Sequence, residues 1–485
     1  MVFVINKFIE NKKQWFVIGA AMLMAVFAGA MSALLPWFVA VGLFAFAMVT
    51  LFIIRQPFIG ILLIAFFLPF ERLGAYEFGN TTIRVAQILL LITGLVWFLR
   101  LVWKRSYSFV RNPPLIPLSL FLVVVLASLT NALNIGRSVT VLIYVIFTAS
   151  LAFVIPNLVV TKKQLQKVVI VLLVSFVLVS GFGLFQFLGD MTGLPQEVTG
   201  LRELYTKDIL GFTRIQSTAY EPLYFANYLL IPIAILFALF LAGNNVIRSG
   251  WTIALFSLGV VNLVLTVSRG GYLALAVTLL LIGVIYFKKL FIVRNIVIIV
   301  IGTVVLFWVV LQTLGTGGEL FTLDKFQEHV TNAFYGASYD ERIETFDQAF
   351  IAWREYPIIG VGIGGFGPYV ARHPYYIPHD GWRIVNNEFI EILAENGIIG
   401  LLLFMSVLFV LIVRSIKAIM VARDNYLRAI MVALLGVCLG IIIQYQTFST
   451  LYVVHIWFLI GSMVACQNII FNNQKKADVL LDANA

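Results

Sequence analysis

Two arginines stand where their chemistry is easiest to define. Val267-Ser268-Arg269-Gly270-Gly271-Tyr272 joins two apolar runs almost without a loop, so Arg269 falls at the end of a tight helical hairpin. The two glycines allow a sharp turn and the close approach of another group. An arginine held there is placed either for a functional contact or for snorkelling toward lipid headgroups. Arg342 follows Ser338-Tyr339-Asp340-Glu341, a capping-box pattern. That pattern opens a helix whose apolar positions Ile343, Phe346, Phe350 and Trp353 keep helical spacing. The helix dipole opposes a cation in a first turn. Arg342 is therefore placed either for binding or for an ion pair with Asp340, Glu341 or Glu344.

Other polar stretches flank these two. Residues 358–368 are glycine-rich, and Gly360, Gly362 and Gly365 match a GxGxxG string. A dinucleotide fingerprint also needs a preceding strand and a βαβ context, which this sequence lacks; the backbone N–H groups could still meet an anion. The segment 372–383 mixes His373, Tyr375, Tyr376, His379, Asp380, Trp382 and Arg383, a composition that fits sugar rings or a membrane-interface belt. Two histidines six apart in a proline-rich loop make a weak metal signal. Asn386 and Asn387 precede an amphipathic helix with Glu388, Glu391 and Glu395 on one face, read as solvated. Upstream, Arg214 and Tyr220-Glu221-Pro222 lead into another apolar run. Pro222 suits a first helical turn, with Tyr220, Tyr224 and Asn227 on one helical face. Glu221 is placed to cap that helix or to act as a general base.

The elements that must position these groups are read from composition. Of 485 residues, 61% are hydrophobic and 12% charged, with mean hydropathy +1.00. Soluble domains are about half apolar and a quarter charged, so a soluble enzyme is excluded. Apolar runs recur from residue 15 to residue 470, about fourteen (12–14) spans of the length a bilayer needs. The chain is expected to be all-α: a polytopic integral membrane protein forming one membrane domain over 1–485, with a large extracytoplasmic loop containing short helices. The run 57–70 is short enough to re-enter rather than span. Two long connections stand out, 189–220 and 315–387, and loops of such length are usually functional. The net charge of +10 needs no nucleic acid. Lys12, Arg55, Arg100, Lys163, Lys289, Arg414 and Arg428 fall in short loops of one side, which the positive-inside rule makes cytoplasmic together with both termini. The long loops then face outward. No Lys, Arg, Asp or Glu lies near the middle of a span, where transporters place such groups. Cys438 and Cys466 lie inside apolar runs without metal-ligand spacing and read as packing residues.

Taken in order, the S-R-G-G turn, RIETFDQAFIAWREYPIIGVGIGGF and NNEFIEILAENGIIG resemble the O-antigen ligase and O-antigen polymerase superfamily of membrane glycosyltransferases, over roughly 214–414. The resemblance implies a polyprenyl-diphosphate-linked glycan donor used at the outer face of a bacterial inner membrane, with neither metal nor cofactor. It implies that Arg269 and Arg342 hold the diphosphate. Arg214, Tyr220, His379, Asp380, Arg383 and Asn387 become further phosphate or sugar contacts. Ligases of the superfamily resemble one another in beginning the last motif with His-Asn; this chain has Asn386-Asn387, and an Asn cannot be a general base. His379, Asp380, Glu388 or Glu221 would take that role, or the arginines and positioning would suffice. Asn-Asn and the Glu221-Pro222 segment resemble the polymerase branch. The expectation is an inverting polymerase that extends a lipid-linked repeat unit, with membrane lipids and a chain-length regulator as partners. The alternatives are a ligase acting on a terminal lipid or protein acceptor and, in another class, a lipid-linked glycan flippase or exporter.

Overall fold

The computed structural model describes residues 37–72, 76–78, 81–103, 109–110, 112–202, 213–243, 248–290, 292, 337–378, 381–449 and 451–482. The apolar runs fold as helices because a bilayer leaves no water for unpaired backbone groups. In chain order they are α1 (Trp37–Arg55), α2 (Phe58–Phe67), α3 (Val85–Trp103), α4 (Leu115–Ala127), α5 (Ile135–Ala149), α6 (Leu151–Leu158) and α7 (Lys162–Met191). These are followed by α8 (Gln196–Thr199), α9 (Pro222–Ala242), α10 (Ser249–Leu265), α11 (Arg269–Ile285) and α12 (Phe287–Leu290). The last are α13 (Ala337–Glu355), α14 (Phe366–Val370), α15 (Glu388–Val421), α16 (Asn425–Gln444) and α17 (Val454–Asp482). A single hairpin, β1 (Tyr76–Phe78) on β2 (Thr81–Ile83), pairs Tyr76 with Ile83. It is the one departure from an all-helical chain among the described residues.

Among the described residues, seven helices are long and apolar enough to cross a membrane, and five apolar helices are shorter. Of the expected apolar runs, those near 15–34 and, but for residue 292, 292–314 lie outside the described residues, as does the part of 315–387 before Ala337. α2 has ten residues, about 15 Å of helix and so half of a ~30 Å hydrocarbon core. The short run read as 57–70 thus does not cross as one helix. At the centre stand α9, α16 and the apolar part of α17, buried along most of their length. Pro222 starts α9 without losing a bonded N–H, and Gly243 ends it in the left-handed conformation (φ 66°). Outer helices turn Leu91, Ile116, Leu280 and Phe409 outward, more than half exposed, as lipid contact requires.

Charges separate to two ends of this bundle. At one end Arg100 donates to the Arg55 carbonyl (2.8 Å), Lys289 to the Ala242 carbonyl (3.1 Å), and Lys162 pairs with Asp424. At the other end lie Arg214, Arg269, Arg342 and the start of α15. α15 is broken at Gly397 (φ 66°, ψ −173°), where the turn after α13 packs so closely that a Cβ would strike the Ile358 carbonyl. The break separates a surface arm, 388–396, from the apolar arm that continues to Val421.

Candidate active site

The α10–α11 turn is built to hold Arg269 still. Val267 takes φ 49°, a left-handed conformation that a β-branched residue rarely adopts and that costs on the order of 1–3 kcal/mol. Ser268 caps α11, its Oγ accepting the Gly271 N–H at 3.2 Å. The two glycines make room for the protein itself. A Cβ on Gly270 would come 2.8 Å from Thr447 Oγ1, and one on Gly271 would come 2.9 Å from Ala226 on α9. Residues 213–216 lie along the end of α10: the Ile215 N–H donates to the Leu265 carbonyl (3.1 Å) and Arg214 Nε to the Thr266 carbonyl (3.1 Å). The Arg269 guanidinium is partly desolvated and within electrostatic reach of Arg342 and Arg214. Burial pulls Arg342 below the ordinary arginine value, with Glu341 opposing. An anion placed among the three would be attracted by all of them.

α13 itself departs from its expected form. It already includes Ala337 and Ser338, so Ser338 is not its N-cap and Arg342 lies in the second turn. Its buried face is Thr345, Ala349 and Ala352 with Phe346 alongside, whereas Ile343 and Phe350 are exposed. It ends at Glu355, ahead of Pro357, as the proline requires.

The glycine-rich loop has a different task from an external anion site. Its N–H groups at Gly364 (2.8 Å) and Phe366 (3.1 Å) donate to the two carboxylate oxygens of Glu395. Arg137 Nε donates to the Gly364 carbonyl (2.7 Å) and lies within electrostatic reach of Glu395 and Glu391. Ser128 Oγ accepts the Ile363 N–H at 3.1 Å, and Asn131 Nδ2 donates to the Gly360 carbonyl at 2.8 Å. The acceptor that these N–H groups meet is the chain's own Glu395 carboxyl group, whose pKa burial and Glu391 push up to about 8 against the pull of the two N–H groups and Arg137. The face read as solvated is correspondingly turned inward: Glu388 and Glu395 are buried, and Glu391 accepts the Val385 N–H at 2.9 Å. The sequence expectation fails most clearly at Glu395, whose partners lie in the glycine-rich loop about 30 positions earlier.

A polar segment between α16 and α17 connects these parts. Gln444 Oε1 accepts from Asn227 Nδ2 (2.7 Å), and Asn227 Oδ1 meets His455 Nε2 (2.8 Å). The Tyr445 carbonyl accepts the Glu388 N–H (2.9 Å), Gln446 Oε1 accepts from Asn387 Nδ2 (3.2 Å), and Phe448 stacks edge-on against Tyr224. Asn387 also caps α15, its Oδ1 accepting the Phe389 and Ile390 N–H groups at 3.1 Å. Asn386 takes φ 58°, where asparagine is favoured over most residues.

Residues 253–405 match the O-antigen ligase family. No curated protein matches the chain. The O-antigen ligase match runs from α10 into α15 and takes in Arg269, Arg342, the glycine-rich loop and Asn386-Asn387. It supports the O-antigen ligase and polymerase superfamily and that general type of function.

Within and around the O-antigen ligase region, the expected residues divide. Arg214, Arg269 and Arg342 come together, and Asn387 reaches the same 444–447 segment that packs on Gly270. Arg383 instead pairs with Glu344 on α13 at 3.1 Å. Tyr220 leaves the face of Tyr224 and Asn227: the Arg202 guanidinium lies 4.4 Å from its ring centre. Glu221 occupies the N-cap position of α9 without a side-chain capping bond. Nearby Glu71 accepts the Tyr220 N–H at 3.0 Å; burial raises its carboxyl, against the pull of Arg84 and that N–H, with Glu221 adding to the rise. His379 and Asp380 lie outside the described residues. Among the described residues, no group of three His, Cys, Asp or Glu could hold a metal ion. Arg84, Arg137, Tyr452 and the 444–449 segment were not singled out from sequence. The one signal was Gln444-Tyr445-Gln446-Thr447-Phe448-Ser449, six polar or aromatic residues between two apolar runs.

Proposed function

We propose that the protein is a membrane-embedded polysaccharide polymerase. It transfers a growing glycan from a polyprenyl diphosphate carrier to a lipid-linked repeat unit. The observation that carries this reading is the convergence of Arg214, Arg269 and Arg342 at one end of an apolar bundle. The bond between the anomeric carbon and the diphosphate oxygen breaks, and the departing diphosphate keeps the electron pair. Preorganised guanidinium groups stabilise that growing charge without reorganisation. An acceptor hydroxyl oxygen attacks from the opposite side, inverting the anomeric centre, and gives its proton to Glu221. Charge-assisted hydrogen bonds contribute on the order of 1.5–3 kcal/mol each, so Arg269 and Arg342 together supply a share comparable to a divalent cation's. Asn387 and the 444–447 segment position the sugar.

This end of the bundle is the extracytoplasmic one, with both termini in the cytoplasm of a bacterial inner membrane. A reporter active only outside the cytoplasm works when inserted in 371–378 and fails after Lys476; the reverse pattern overturns the assignment. The purified protein in nanodiscs, given lipid-linked repeat units and no energy source, makes longer glycans. A lack of elongation, with transfer to a terminal lipid acceptor instead, overturns polymerase in favour of ligase. The description of the matched family favours that second reading.

A further inference from the structure

We propose that the groove between α3 and α5 holds the isoprenoid tail of the acceptor lipid, with Arg84 and Gln87 receiving its phosphate. This rests on the polymerase reading, in which the acceptor is lipid-linked as well as the donor. Arg84 immediately precedes α3. Its backbone N–H donates to Gln87 Oε1 at 2.9 Å, which fixes that amide and leaves the other end, Nε2, to face elsewhere. Gln87 is 5% exposed, and both its Nε2 and Arg84 Nε are buried without a hydrogen-bond partner. Buried donors left unpaired each cost on the order of 1–3 kcal/mol, so two on adjacent turns point to an absent acceptor. The N-terminus of α3 adds its own favour for negative charge.

Below these donors runs the groove, about 370 Å³, lined by Gln87 and Leu91 from α3 and by Ile143, Tyr144 and Phe147 from α5. Leu91 and Ile143 are 60% and 61% exposed, so the groove opens sideways, where a lipid can enter from the bilayer. A positive head over an apolar trough is complementary to an isoprenyl phosphate. Position supports the same occupant. The charge of Arg84 reaches Tyr224 and Tyr452, and Tyr224 stacks on Phe448, one residue from the Thr447 that packs on Gly270. The groove and the arginine cluster therefore flank one polar segment, as donor and acceptor sites must.

The test is photolabelling of the full-length protein in phosphatidylethanolamine nanodiscs by a long-chain isoprenyl phosphate carrying a diazirine in its tail. The account predicts labelled peptides from α3 and α5, with labelling reduced at least tenfold in Arg84→Gln and in Leu91→Trp. Leu91 faces lipid, so the second variant blocks the groove without disturbing the core. Arg269→Ala leaves this labelling unchanged. Labelling that survives both groove variants overturns the proposal, and so does equal competition by phosphatidylglycerol, which would mean bulk lipid only. Because labelling needs no turnover, labelled peptides without polymer would remove the polymerase reading and keep the groove. Polymer without such labelling would do the reverse.

Discussion

Two charged clusters share one end of this bundle and differ in what completes them. The Glu395 cluster is completed from within the chain: each carboxyl oxygen has a backbone N–H, and Arg137 lies within electrostatic reach to offset burial and the neighbouring Glu391. The arginine cluster gathers like charges, with Arg342 and Arg214 both acting on Arg269. The first arrangement stabilises a fold. The second sets three guanidinium groups within electrostatic reach of one another, an arrangement that an added anion would favour. Buried charge near a membrane surface is therefore not in itself a sign of catalysis; the sign of the neighbours decides.

That contrast breaks first at Glu395. Glu395→Ala leaves the buried Gly364 and Phe366 N–H groups unpaired, at about 1–3 kcal/mol each. Its expected outcome is loss of folded protein on size-exclusion chromatography in detergent. A monodisperse variant with wild-type melting would show that the glycine-rich loop does not depend on this carboxylate. Arg269→Ala should behave differently, with polymer synthesis falling at least tenfold while the protein stays folded and monodisperse. A parallel loss of stability would make Arg269 a structural residue instead.

A smaller effect sharpens the role of the glycines. Gly271→Val forces α11 away from Ala226 on α9, and overpacking of this kind costs typically about 1–3 kcal/mol. The melting temperature should drop, and donor affinity should weaken with it as Arg269 shifts. An unchanged melting temperature would return those glycines to ligand contact. Smallest is the asparagine pair. Asn386→Gly should be neutral because φ 58° suits glycine, whereas Asn387→Ala loses the α15 cap, about 0.5–2 kcal/mol. Loss of synthesis in Asn386→Gly with normal stability would give Asn386 a chemical role that its backbone does not require.

What the sequence could disclose follows from the range of the interactions. Helical runs, Pro222 at the start of α9 and the end of α13 before Pro357 are local, and each was legible, whereas the cap expected at Ser338 was misplaced. The S-R-G-G turn was legible as a site for Arg269, although its glycines proved to admit Ala226 and Thr447. The glutamate face was misread because Glu395 meets Gly364 across 31 positions, and periodicity carries no such information. Arg84 and Arg137 each look like a single cation at the edge of an apolar run. Only packing puts one beside the α3–α5 groove and the other beside Glu395.

The central claim concerns an anion, and direct binding tests it most simply. Affinity of the purified protein for an isoprenyl diphosphate, measured in nanodiscs at two salt concentrations, should fall at least tenfold in both Arg269→Ala and Arg342→Ala, a change of about 1.4 kcal/mol or more. The wild-type affinity should weaken with salt. Equal affinity in the wild type and both variants would contradict the account.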